Sequence, residues 1–225
     1  MSIVIALRVN EGVVLAADRR VTVGDPRSTV CTDDDFKKVI TFKHGAIGFV
    51  NAVGFVTYPL NAALDKINAQ NYAGDPLLEI SLTLKNHYAL YRSNASKAER
   101  KRIPEVKLVY ADIFRAARRI YTLDSETDFM PNIFNPAHAI IGIRNYASYL
   151  YKRFWHHSFN INDAARFAVL LINETAFAEP KVGGVVNDIV KITHSGIEIV
   201  SQTDMEIMIN ENTEFVNAFA KSFMR

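Results

Sequence analysis

The alternation in the first twenty residues constrains the fold most. Ile3, Ile5 and Leu7 fall on one face of an extended chain and Val4, Ala6 and Arg8 on the other, and Asn10-Glu11-Gly12 supplies a turn before Val13-Val-Leu-Ala-Ala17. The chain therefore opens with a strand hairpin, and residues 45–51 read as a further strand. From residue 55 to 70, Leu60, Ala63, Leu64 and Ile67 recur at helical spacing. A second helix is expected after Asp75-Pro76, where aspartate caps and proline takes the first turn; it carries Leu78, Ile80, Leu82, Leu84 and Tyr88 and frays near Ser93. Strands follow at 106–113 and 119–123, then a turn at Asp124-Ser125 and a loop over 131–136. Helices over 145–156 and 162–178, a strand pair at 185–193 and 197–201, and an amphipathic helix over 213–223 complete the pattern. Strands and helices segregated in this order predict an α+β protein: a four-layer αββα sandwich of two packed antiparallel sheets flanked by helix pairs. No repeat, linker or low-complexity stretch divides residues 1–225, so a single domain is expected.

Composition excludes several function classes. With 225 residues, 49% of them hydrophobic, one large core can form. No apolar run reaches the length of a membrane span, and no basic segment precedes an apolar one at the amino terminus, so the expected location is the cytoplasm. Cys31 is the only cysteine, which rules out an intrachain disulfide and leaves no structural zinc set. The pair His156-His157 would point in different directions on a helix, and no metal or other cofactor is expected. A net charge of +2 gives no strong attraction for nucleic acid or a membrane surface, and the basic run Lys97-Ala-Glu-Arg-Lys-Arg102 reads as a solvated helix end. Phe154, Trp155, Phe159 and Phe167 read as core or subunit-contact packing.

The chemistry concentrates at the amino terminus. Ser2 lies directly behind Met1, and a small second residue favours removal of the initiator methionine. Ser2 would then carry a hydroxyl and a free α-amine on one carbon, nucleophile and base in a single residue. An α-amino group near 7.7 to 8.0 leaves roughly a tenth to a sixth of the chains with a neutral amine at pH 7. A lysine ammonium beside the hydroxyl favours the alkoxide and lowers the amine's pKa, and a carboxylate keeps that lysine charged and in place. Lys38 and Asp18 suit those two roles.

The chain resembles the proteasome β-subunit family of amino-terminal nucleophile hydrolases. Asp18 falls sixteen residues after Ser2, Arg20 completes an Asp-x-Arg, and Lys37-Lys-Val-Ile40 matches the family's lysine strand, with four extra residues absorbed in the turn-rich stretch 24–35. Gly48-Phe-Val-Asn-Ala-Val-Gly54 resembles the strand-to-helix junction that carries the oxyanion-hole amide, which counting from Lys38 places on Ala52. Ala139-Ile-Ile-Gly-Ile-Arg-Asn-Tyr-Ala147 resembles the segment entering the third helix, and Glu179-Pro-Lys-Val-Gly-Gly-Val-Val-Asn187 the family's Asp-x-x-Ser-Gly-Gly turn. Here Val182 and Ile143 stand where active members commonly have serines, Glu179 replaces an aspartate, and Ser2 replaces the usual threonine.

The resemblance implies a self-compartmentalising peptidase acting on peptides or unfolded proteins through Ser2, Asp18 and Lys38. Arg20, Ala52 and Glu179 would support them, and the chain would assemble as a homo-oligomeric ring open to a regulatory cap or ATPase. Two alternatives stay open: a noncatalytic assembly subunit of the same fold, motivated by Val182, Ile143 and a retained Met1, and an amide ligase or transpeptidase in which an amine replaces water.

Overall fold

Strand β1 (Ile3–Arg8) pairs antiparallel with β2 (Gly12–Asp18), and its two faces enter two different cores. Ile3, Ile5 and Leu7 pack toward helices, whereas Val4 and Ala6 face a second sheet. The computed structural model describes residues 2–23, 31–33, 36–50, 53–96, 103, 105–133, 137–179, 182–183 and 186–223. The short strands β3 (Val21–Val23) and β4 (Cys31–Asp33) form a hairpin at the edges of the turn-rich stretch, most of which lies outside the described residues. The basic run at 97–102 also lies outside them.

Next come β5 (Val39–Phe42), β6 (Gly45–Val50), helices α1 (Val53–Asn68) and α2 (Pro76–Asn94), and strands β7 (Lys107–Phe114) and β8 (Ala117–Asp124). Asp75 caps α2 by accepting from the Leu77 N–H at 2.9 Å, with Pro76 in the first turn. The second half contains β9 (His138–Gly142), α3 (Asn145–Phe154), α4 (Ile161–Ala178), β10 (Val186–Thr193), β11 (Gly196–Ile199) and α5 (Gln202–Phe223).

The strands form a sheet in the order β11-β10-β2-β1-β9 and another in the order β5-β6-β7-β8, antiparallel throughout. Val4, Leu15, Val39, Ala46, Val109 and Val190 belong to the core between them. Helices α1 and α2 cover the second sheet through Leu60, Leu64, Ile67, Ile80 and Leu84. Helices α3 and α4 cover the first through Leu150, Tyr151, Ala168 and Leu171, and α5 adds Met205 at its margin. The molecule is thus the αββα sandwich, with a third helix joining one of the two pairs. Burying an aliphatic side chain in such a core stabilises the fold by roughly 1.5–3 kcal/mol.

Besides β4, which lies inside the expected loop over 24–35, three elements of the second half differ from the sequence reading. Residues 138–142 form an edge strand on β1, with Ile3 opposite Gly142 and Leu7 opposite His138. The closing helix begins at Gln202 rather than 213, because the Ser201 hydroxyl accepts from the Asp204 N–H at 3.1 Å and caps it. The last strand correspondingly ends at Ile199.

Candidate active site

Asp18 ends β2 and is fully buried, and its carboxylate accepts three hydrogen bonds. The Ile3 N–H donates to Oδ1 at 2.8 Å, while Lys38 Nζ at 2.8 Å and the Gly183 N–H at 3.0 Å both donate to Oδ2. Lys38 is 1% exposed, and its ammonium also donates to the Arg20 carbonyl. A buried ammonium and carboxylate are tolerated only because each compensates the other and the remaining lone pairs are occupied.

Strand alternation places Ser2 on the face shared by Val4 and Ala6, at the end of the space between the sheets. Its carbonyl accepts from the Ile143 N–H at 3.1 Å, and the N–H of the next residue, Ile3, is the one bound by Asp18. Ser2 is therefore held from β9 on one side and β2 on the other. This anchoring requires Gly142: its φ is +86°, and an added Cβ would lie 1.9 Å from the Ser2 carbonyl oxygen. Ser2 lines a cavity of about 370 Å³ with Val50, Glu105, Lys107, Gly142 and Arg144. A second cavity of about 500 Å³ between β8, β9 and α3 shares Lys107, Ile140, Ile141 and Arg144 with it.

The supporting residues fall into place unevenly. The Arg20 carbonyl reaches Lys38, and its guanidinium lies 3.5 Å from the Val182 carbonyl. Glu179 is exposed and ends α4; its carbonyl accepts from the Val182 N–H at 2.9 Å, shaping the turn that delivers Gly183 to Asp18. Gly183 is needed there, since a Cβ would lie 2.8 Å from the Arg20 Cβ. β6 ends at Val50 and α1 begins at Val53, so the strand-to-helix junction is where the sequence puts it, while Ala52 itself lies outside the described residues. Val182 is buried among the apolar residues under α4, and Ile143 packs against the same cluster.

Asp188 escapes the sequence reading. Its Oδ2 accepts from the Lys38 N–H at 2.9 Å and its Oδ1 from Arg19 Nε at 3.0 Å. The only available signal is a carboxylate in the row of alternate positions whose other members are Val186, Val190 and Ile192.

Among the described residues, Glu105, Asp124 and Glu126 bring carboxylate oxygens within 4.8 Å of one another. The Lys107 ammonium already pairs with Glu105 and, at 3.3 Å, with Asp124, and the Glu105 hydrogen bond foremost raises its pKa against the opposing effect of burial. His156 lies beyond α3, where its Nδ1 pairs with the Ser158 hydroxyl at 2.6 Å. No helix among the described residues is long and apolar enough to cross a membrane.

A family model described as proteasome subunit matches residues 2–191. The chain belongs to the proteasome subunit family. Among solved structures, this proteasome subunit is similar to an Anbu (Gly-1) mutant from Hyphomicrobium sp. strain MC1, with a TM-score of 0.73 at 15% identity over 100% of this chain and 97% of that one. It is also similar to Anbu (ancestral beta-subunit) from Yersinia bercovieri, with a TM-score of 0.73 at 13% identity over 99% and 97% of the two chains. The helical assembly of the Anbu complex from Pseudomonas aeruginosa gives a TM-score of 0.75 at 14% identity over 99% and 96%. At these identities the likeness is one of fold. No curated protein matches the chain by sequence.

Proposed function

We propose that this proteasome subunit is an amino-terminal nucleophile hydrolase that cleaves peptide bonds, with residues 1–225 forming one such domain. The observation that carries the reading is the buried Asp18 carboxylate, which binds the Lys38 ammonium and the first peptide N–H after Ser2 with adjacent oxygens. A single rigid group thereby registers the chain terminus against the lysine.

With Met1 removed, the Ser2 α-amine takes the hydroxyl proton as Oγ attacks the substrate carbonyl carbon. The tetrahedral intermediate collapses by breaking the C–N bond, and the ammonium returns the proton to the leaving amine, which departs and leaves an ester on Ser2. Water, deprotonated by the same amine, then releases the acyl group and regenerates the hydroxyl. Lys38 favours the alkoxide and keeps the amine's pKa low, and Asp18 holds Lys38 charged. Arg20 and Glu179 brace the turn bearing Gly183, and a backbone N–H at Ala52 would stabilise the oxyanion, for which no particular side chain is needed.

The substrates are peptides or unfolded proteins admitted to a chamber formed by self-assembly of this chain, in the cytoplasm. The oligomeric Anbu assembly from Pseudomonas aeruginosa supports self-association. A regulatory cap or ATPase would act on that chamber. The second reading, a noncatalytic assembly subunit, draws on Val182 and Ile143, which place apolar packing where the family commonly uses hydroxyls. An acyl-enzyme resolved by an amine instead of water would make the same site a transpeptidase or amide ligase.

Peptide turnover by Ser2→Ala and Lys38→Ala decides between the peptidase and the noncatalytic subunit. Each is expected to lose about 100-fold or more of the wild-type rate, with Ser2→Ala assembling normally. Normal turnover in either variant removes the assignment, and a wild-type assembly with no turnover favours the noncatalytic subunit.

A further inference from the structure

We propose that Asp188 is a positioning residue for Lys38: the carboxylate on β10 fixes where the lysine's main chain sits and hence where its ammonium points. The inference rests on the reading of Ser2 as the nucleophile.

Asp188 is 8% exposed and shares a strand face with Val190 and Ile192, both in the core between the sheets. The register of β10 against β2 shifts between Val186 and Asp188, a bulge next to Asp18, and bulges commonly re-aim a side chain beside a functional site. Lys38 belongs to the other sheet, immediately ahead of β5. Its carbonyl accepts from the Phe49 N–H at 3.2 Å, within its own sheet, and its N–H donates across the sandwich to Asp188. The peptide unit carrying the site's ammonium is thus pinned from both sheets. Arg19 occupies the other carboxylate oxygen and offsets the cost of burying the charge.

An apolar residue at position 188 would continue the row of Val190 and Ile192, but it would leave the buried Lys38 N–H without its acceptor. Asp18 holds the tip of Lys38 and Asp188 holds its root. This second carboxylate gives the site an anchor at positions distinct from Val182 and Ile143, where the family's serines are missing.

Among the described residues, the charged groups linked to the Ser2 end of β1 are Asp18 on β2, with Lys38 bound to it, and Arg20, whose carbonyl accepts from Lys38, while Arg19 pairs with Asp188. Glu105, Lys107 and Arg144 line the cavity that Ser2 lines. If Asp188 acts by position, Asp188→Ala lets the ammonium drift from the terminal amine, whose pKa then rises toward its ordinary value. If it acts by charge, Asp188→Ala and Asp188→Asn both remove a negative group, and both lower that pKa.

The experiment measures acylation of Ser2 by a β-lactone across about pH 5 to 9, together with kcat and KM for a peptide substrate, on the Met1-processed protein. Asp188→Ala and the space-filling Asp188→Leu are expected to slow acylation by about 10- to 100-fold, to leave KM within about twofold, and to move the acid limb of the profile to higher pH. Asp188→Asn keeps an acceptor for the Lys38 N–H and should restore both rate and limb. Arg19→Ala, which leaves that acceptor in place, should acylate within about threefold of wild type. Wild-type rates and limb in Asp188→Leu overturn the proposal even if Asp188→Ala fails to fold, and so does an equal downward shift of the limb in Asp188→Asn and Asp188→Leu. A wild-type protein that is never acylated overturns the hydrolase reading itself, and this proposal with it.

Discussion

Asp18 shows how much one side chain can organise. Its carboxylate gathers the peptide N–H after Ser2, the N–H of Gly183 and the Lys38 ammonium, from three separate parts of the chain. Removing it takes the carboxylate from a buried ammonium and the acceptor from two N–H groups. Asp18→Ala is accordingly expected to destabilise the protein by about 3–5 kcal/mol, measured by denaturant unfolding; a loss below about 1 kcal/mol would show that the pair contributes little to the fold. Asp18 and Lys38 were legible as partners because the family resemblance assigns a carboxylate at the end of the second strand and a lysine ahead of a later one, and they do meet. Asp188 was not legible, because its bond to Lys38 spans 150 residues and leaves no spacing signature. The departures at Val182 and Ile143 were visible as residue types, but only the structure shows that both positions are committed to the core under α4.

At the scale of elements, β9 and α3 meet through His138, whose ring stacks on Tyr151 with centroids 3.8 Å apart. Its Nδ1 is buried with no hydrogen-bond partner among the described residues. Burial first, and then the Lys152 ammonium, push its pKa below the ordinary 6.5. The unfolded chain takes up a proton near that value while the folded one resists it, so stability is retained above about 6.5 and declines as pH falls below it. The free energy of unfolding should therefore fall between about pH 7 and 5, and His138→Phe, which keeps the stack, should flatten that slope. An unchanged slope in His138→Phe would remove His138 as its source.

This same region was hard to read in advance. The strand over 138–142 is short and runs directly into α3, so its sequence resembles a helix approach. The turn between β7 and β8, with Arg115 and Ala116 at φ +50° and +68°, falls where the sequence reading separates two strands, although no glycine or asparagine announces it. The sequence reading covers only the second half of helix α5, since it places the Ser201 cap in the preceding strand. The long periodic helices and the opening hairpin were legible because apolar spacing is the signal that packing itself demands.

At the scale of the whole molecule, two antiparallel sheets share one core, and helices seal both outer faces. Solved Anbu structures share this architecture over nearly their full length at 13–15% identity. The architecture therefore depends on the pattern of apolar faces rather than on individual residues. What it contributes to function is the open end of the inter-sheet space, where β1 begins, β2 and β6 end, and Lys38 crosses toward Asp18. Ser2 is expected to become the chain terminus at that opening and to react there. Intact mass spectrometry of the protein with its native amino terminus, before and after exposure to a β-lactone that acylates amino-terminal nucleophiles, checks this. A mass lacking Met1 and a single adduct mapped to Ser2 are expected; a retained Met1 with no adduct would contradict this and leave a structural subunit of the same fold.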